Sequence, residues 1–284
     1  DLESRRDNPE KVVKCGIPEI DDAVNVGFCP QHLTLFVADV KSYKTSLMLN
    51  VGLGLYDKGF NVLFVPLEMG RLDLCRRIIA NRGNVNFNKF ARPEMMDNKD
   101  WKNVKECTSW IEREHKFSIL DVDETLAVSK LQREIEKRAL VLKPHVVIID
   151  YIANMKSDRR YERNDLEIGE ILKSLRFLGK KYGFHIISAA QMGRQAIRAL
   201  KEDSSATPDS TSIRGSHEYS ADADTILGII KLPDEPDKIK LVRMACRHSP
   251  DAAAQMLHVQ PEYCRITSML KTSALVGNTD EDVL

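Results

Sequence analysis

The sequence predicts an α/β domain in which a mainly parallel, twisted sheet is flanked by helices and continued by an antiparallel extension. Apolar runs at 33–37, 62–67, 117–120, 146–149 and 184–188 alternate with stretches at 45–57, 71–82, 100–115, 127–142 and 166–182 whose apolar residues recur three and four apart. Strand and helix in alternation argue for crossover units and hence for parallel strands. Beyond Ser188 the texture changes. Residues 193–212 are polar and poor in large apolar side chains, and short strand-like runs follow at 225–230, 239–244 and 256–259, as expected of antiparallel strands added to the sheet.

Taken in order, residues 1–14 lack a sustained apolar period and read as a linker, residues 15–270 as the folded domain and residues 271–284 as a flexible tail. The first strand, LTLFV, is apolar throughout, as in a strand buried in the sheet, and the helix after it begins near Lys44-Thr45. Gly59, Gly83 and Gly183 stand where three of the helices stop, each suited to the left-handed conformation of a helix end. No internal repeat is present.

A chain of 284 residues can bury an ample core as one large domain or two small ones. Nothing in it approaches the roughly 18 to 20 apolar residues of a bilayer helix. Lys and Arg number 42, as do Asp and Glu, so the net charge is zero and any contact with nucleic acid must come from a local patch. Cys15, Cys29, Cys75, Cys107, Cys246 and Cys264 form no CxxC pair, which argues against zinc ribbons and redox sites and for a reduced, cytosolic interior. The chain starts at Asp1 without a signal-peptide pattern, so a piece of a longer protein is expected.

The segment LTLFVADVKSYKT runs from a buried strand through a turn into a helix. That is the setting in which GxxxxGK[ST] binds nucleotide phosphates, with loop amides and the helix N-terminus facing the anions, the lysine reaching the outer phosphates and the hydroxyl holding magnesium. Here the octet is Ala38, Asp39, Val40, Lys41, Ser42, Tyr43, Lys44 and Thr45, with Ala38 and Tyr43 in place of the two glycines. On its own it is equally an ordinary helix start. Three strand ends add weight: Glu68 after 62–67, Asp150 after HVVII, and Gln191 after FHIISAA. Each lies where open parallel sheets place their chemistry. Separately, these could be a helix N-terminal acid, a strand-end turn and a solvated loop residue. Their order along the chain is restrictive.

With these blocks in place, the sequence resembles the RecA-like ATPase domain of DnaB-type replicative hexameric DNA helicases of bacteria and their phages. The resemblance runs from about Gly16 to Ile266 and lies in GIPEIDDAV, PQHLTLFVA, VLFVPLEM, HVVIIDYIANM, ISAAQMGRQ, SIRGSHEYSADADTI and VRMACRH. It implies a P-loop NTPase core in which residues 38–45 bind ATP or another NTP, Thr45 and Asp150 serve Mg2+, Glu68 polarises the attacking water and Gln191 relays phosphate state. Arg247 would be an arginine finger reaching a neighbouring subunit's nucleotide. The family pattern has a lysine two residues before that arginine, where this chain has Ala245. We expect the Tyr43 ring to point away from the phosphates, since so many downstream positions are filled.

The resemblance also implies inward-facing loops that hold single-stranded DNA, at 155–164 with Lys156, Arg159, Arg160 and Arg163, and at 193–216 with Arg194, Arg198, Lys201 and Arg214. Tyr161 is the aromatic that stands out, so backbone tracking without sequence preference is expected. The implied partners are further copies of the chain in a hexameric ring, single-stranded DNA and a primase or helicase loader, with no membrane, in the cytoplasm of a bacterial or phage-infected cell. Two other readings are a degenerate paralogue serving as a non-hydrolysing, nucleotide-sensing scaffold, favoured by Tyr43 and Ala245, and a recombinase or clock-type relative of the same core.

Overall fold

The computed structural model describes residues 12–270 except 26, 123–125, 139–140, 203–206, 214–218, 220 and 250–251. Its strands are β1 (Leu33–Ala38), β2 (Val62–Pro66), β3 (Phe117–Ile119), β4 (Leu126–Ala127), β5 (Val146–Asp150), β6 (Met155–Lys156), β7 (His185–Gln191), β8 (Thr225–Leu232), β9 (Glu235–Cys246), β10 (Gln255–Gln260) and β11 (Arg265–Ser268). Its helices are α1 (Pro18–Ala23), α2 (Lys44–Asp57), α3 (Arg71–Gly83), α4 (Asn98–Arg113), α5 (Val128–Arg138), α6 (Asn164–Tyr182) and α7 (Arg194–Glu202).

Nine strands make one sheet in the order β11-β10-β9-β8-β1-β7-β5-β2-β3, and β4 pairs with β6 in a separate two-stranded piece. From β8 to β3 every pairing is parallel, while β9, β10 and β11 add the antiparallel extension. The central strands are apolar throughout because helices cover both faces. Leu33, Leu35 and Val37 of β1 join the core formed with α5 and α6, whereas Phe36 and Ala38 join the core formed with α2 and α3. The same alternation divides Leu63 and Val65 from Val62 and Phe64, and Val147 and Ile149 from Val146 and Ile148.

Several boundaries differ from expectation. Residues 193–212 contain a helix, α7, because Ala196, Ile197 and Leu200 fall at helical spacing and pack against the α5–α6 core. Gly83 is the last helical residue of α3, and Asn84 takes the left-handed cap at φ 52°; asparagine tolerates that region better than most side chains. Val13, placed in the linker by its sequence, is buried and pairs with Phe28. The tail at 271–284 lies outside the described residues. No disulfide joins the six cysteines.

Helix α2 is held closely on both sides. A Cβ on Gly54 would lie 2.2 Å from the Cys15 carbonyl oxygen, so glycine alone allows that approach. Further along the same helix the buried Asn50 amide donates to the Ser46 and Cys264 carbonyls at 2.7 and 2.9 Å. Its oxygen accepts from Asn81 Nδ2 at 3.0 Å and from the Ile266 amide at 3.1 Å. One side chain thus ties α2 to α3 and β11. Asn50→Ala removes the acceptor of the Ile266 amide and leaves the Cys264 carbonyl only its bond from Asn81, and should lower stability by about 2 to 4 kcal/mol. Urea unfolding should show this as a lower midpoint with an unchanged slope.

Candidate functional site

The C-terminal ends of β1, β2, β5 and β7 meet at one edge of the sheet. Ala38 pairs with Gln191 and Pro66 with Asp150, so the residue types singled out at four strand ends become neighbours. The chain beyond β2 is fastened there by its own backbone, since the amides of Leu67 and Glu68 donate to the Asp150 carbonyl at 2.6 and 2.9 Å. Ala38 itself is fully buried strand.

Residues 39–43 form the turn, with Lys41 and Tyr43 in the left-handed region at φ 60° and 64°. Tyr43 is the residue preceding α2, and its ring packs against the α2–α3 core. Lys44 folds back over the turn, its Nζ donating to the Asp39 carbonyl at 3.0 Å and the Ala38 carbonyl at 3.4 Å. Burial lowers the Lys44 pKa, while Glu68, Asp150 and Asp39 pull it the other way. A cleft of about 500 Å³ opens here, lined by residues 40–46, Glu68, Met69 and Arg77.

Thr45 Oγ1 donates to Asp150 Oδ2 at 2.6 Å. The carboxylate is fully buried, and its Oδ1 has no hydrogen-bond partner among the described residues. Burial raises the Asp150 pKa from 3.8 to about 6, with the Thr45 bond opposing. Among the described residues no group of three or more His, Cys, Asp or Glu side chains converges, so a cage for a metal built from protein alone is absent from them. An orphaned carboxylate oxygen beside a threonine hydroxyl does fit an octahedral Mg2+ that takes its other ligands from phosphates and water. Glu68 stands exposed at the rim.

Arg77 was not picked out by sequence. It lines the cleft from α3, reaches Ser46 Oγ at 3.5 Å and lies over the Phe87 ring at 5.4 Å, with its buried Nε lacking a hydrogen-bond partner among the described residues. Its signal was present, since Arg77 falls three residues after Leu74 and one before Ile78, both fully buried, on the inward face of α3.

Arg247 lies away from the cleft. Cys246 pairs with Thr225, and Thr225 with Thr34, at the beginning of β1. The arginine is therefore roughly 13 Å or more from its own turn by strand rise alone. Its guanidinium donates to the carbonyls of Ala223, at 3.2 Å, and Ala221, and lies 3.9 Å from the buried Asp224 carboxylate. Of the basic residues, Arg159, Arg160, Arg194 and Arg198 are exposed. Lys156 and Arg163 are also exposed but face Glu167 at 3.7 Å and Asp165 at 2.5 Å. The Lys201 side chain and Arg214 lie outside the described residues. The first basic segment follows β5 and α7 follows β7, adjacent strands, so both leave the sheet at the edge that carries the cleft.

A family model described as the DnaB-like helicase C terminal domain matches residues 12–245. A replicative DNA helicase DnaB of Leifsonia xyli subsp. xyli is 25% identical over 216 residues, which cover 76% of this chain and 46% of that protein. The chain spans about half the length of the curated relatives it matches. Among solved structures, one described as an ATPase domain superposes with a TM-score of 0.81 at 19% identity, covering 95% of this chain and 96% of that one. A DnaB-like replicative helicase, described with its interactions with primase, gives 0.81 at 19% identity, with 95% and 65% covered. The fold is the RecA-like P-loop core.

The buried Asp150 carboxylate makes stability depend on pH. Its folded-state pKa, about 6, lies above the unfolded 3.8, so the folded chain binds the proton more tightly. Stability from this group is intact below pH 3.8 and is lost as pH rises through 6, at most about 3 kcal/mol. Asp150→Asn should therefore stabilise the magnesium-free protein by about 1 to 3 kcal/mol at pH 8 and hardly at all near pH 4. Denaturant unfolding at the two pH values measures the difference.

Proposed function

The chain belongs to the DnaB-like helicase C-terminal domain family, and from that premise we propose that it is the ATP-driven motor of a ring-forming DNA helicase. It would hydrolyse nucleotide at subunit boundaries and move single-stranded DNA with the basic segments at the same sheet edge. The observation that carries this reading is the gathering of Lys44, Thr45, Asp150 and Glu68 around one cleft at the mouth of a left-handed turn.

In this reading the amides of the turn and the N-terminus of α2 receive the phosphates, and Lys44 exchanges the carbonyls of Ala38 and Asp39 for the outer phosphate oxygens. Thr45 and Asp150 would hold Mg2+, which when bound neutralises charge on the phosphates. Glu68 orients and deprotonates the attacking water from the rim. Gln191, paired with Ala38 beneath the turn, passes the state of the terminal phosphate to α7, where Arg194 and Arg198 face solvent. Arg247 is too far from its own cleft to act there, which supports a role at a neighbour's nucleotide in a hexameric ring. Arg159 and Arg160 offer charge to the DNA backbone, and Lys156 and Arg163, exposed themselves, can trade their carboxylate partners for phosphates. A primase or helicase loader would act with the assembled ring.

Steady-state ATPase activity, with and without single-stranded DNA, tests the proposal. Glu68→Gln should keep nucleotide binding and lower turnover by about 10² to 10⁴-fold, whereas Lys44→Ala should weaken binding itself. Mixed Arg247→Ala and Lys44→Ala subunits should recover part of the activity, since the two lesions fall on opposite sides of a shared boundary. Silent mixed rings would reject the trans role.

Replacing Arg159 and Arg160 with alanine should weaken single-strand binding evenly across sequences. The slope of log affinity against log salt should flatten by about 0.7 for each DNA phosphate that the variant no longer neutralises, while the unfolding midpoint stays unchanged. A slope identical to that of the parent would return the segment to a solvated charge run.

A further inference from the structure

At position 43 the phosphate-loop pattern has a glycine, which enters the left-handed region freely. This chain holds a tyrosine there at φ 64°, a conformation that L side chains other than Asn and Asp seldom adopt. Tertiary contacts must hold it. One is the packing of the ring against the α2–α3 core. The other comes from β8, the parallel neighbour of β1. Ile229 of β8 pairs with Ala38 at the end of β1, and β8 runs on to Leu232, beyond the point where β1 gives way to the turn. Lys231, exposed on this overhang, sets its Nζ 5.1 Å from the centroid of the Tyr43 ring.

Residues 39–42 and 229–233, with Met192, Ile197 and Leu200 between them, line a cavity of about 270 Å³, so the turn and the overhang are not packed directly together there. The lysine and the ring bridge the gap. Glu262, in the short turn after β10, approaches from a third side: burial first and the Glu262 charge second raise the Tyr43 pKa above that of a free phenol.

The geometry points to Lys231 as a positioning residue for the phosphate loop. Its cation over the Tyr43 ring holds the turn in the left-handed shape that aims the amides at the phosphates, supplying by a side-chain pair what glycine supplies by its backbone alone. Lys231 can matter for binding only if residues 38–45 are the nucleotide loop, the premise of the proposed function. The overhang of β8 continues into β9, the strand that ends beside Arg247, so loop shape and the finger strand are joined through one hairpin.

Lys231→Met keeps the length of the side chain and removes the charge. Titration with a fluorescent ATP analogue and magnesium should show Kd raised about two- to fivefold, the worth of one partly exposed cation–π contact. Lys231→Arg should restore it, and the thermal midpoint should fall by no more than about 3 °C, the scale of one partly exposed contact. In the Tyr43→Gly background, Lys231→Met should leave Kd where it is. An equal loss in both backgrounds would mean that the lysine acts on the nucleotide by charge alone, and that would overturn the inference. So would binding that ignores Lys231→Met altogether. Absence of binding by the unaltered protein would sink the nucleotide-loop reading, and this inference with it.

Discussion

The hydrogen bond from Thr45 to Asp150 fixes the geometry on which the rest of the cleft depends. It joins the first turn of α2 to the last residue of β5 through a carboxylate with no access to water. The same aspartate binds the strand next door, because its carbonyl receives the amides of Leu67 and Glu68. Helix, strand and the segment bearing Glu68 are therefore referenced to one residue. A buried carboxylate with an unpaired oxygen is an unfavourable thing to build into a core. Placed at the edge where a turn and a helix N-terminus converge, it is suited to share its charge with a cation.

The sheet makes this arrangement possible. Strands covered on both faces can be apolar throughout, which leaves polar residues to collect at their ends, and parallel neighbours bring four such ends to one edge. Asn50 and Gly54 then fix α2 from the far side, one by hydrogen bonds to α3 and β11 and the other by closeness to Cys15. With α2 held, Lys44 and Thr45 have few ways to move except as part of the turn.

The long strands and helices were legible because burial writes itself into continuous or periodic apolar runs. Elements with short or divided signals were not. Helix α1 has six residues, β11 four, and β4 and β6 two each, too few for a period to emerge. Helix α7 shows only Ala196, Ile197 and Leu200 on its inner face, and in a polar stretch that face is easily read as loop. Arg77 hides among Arg71, Arg76 and Arg82 on one helix, where arginines ordinarily meet solvent, and its inward direction depends on phase relative to Leu74 and Ile78. The octet at 38–45 pointed to the edge of the sheet where the cleft opens, yet its sequence could not show how Tyr43 enters a glycine conformation. The answer lies in Lys231, 188 positions later along the chain.

Arg247 lies by the N-terminal ends of β8 and β1, while the turn at 39–43 follows the C-terminal end of β1, so the length of the strand separates them within one copy. A copy thus carries two halves that do not meet, the cleft and Arg247, the arginine being held by Asp224 and the carbonyls of Ala221 and Ala223. Halves of this kind are matched by a head-to-tail contact, which must either close into a ring or run on as a helix. In a ring built on the proposed role of Arg247, each boundary would join a finger to a cleft, so hydrolysis at one site would loosen the contact that the next site needs. The pairing of Gln191 with Ala38 provides a second route, from the floor of the turn to the exposed arginines of α7. Nucleotide state would then reach the DNA-facing segment through one strand end and the neighbouring subunit through another, and both routes start at the turn that Tyr43 shapes.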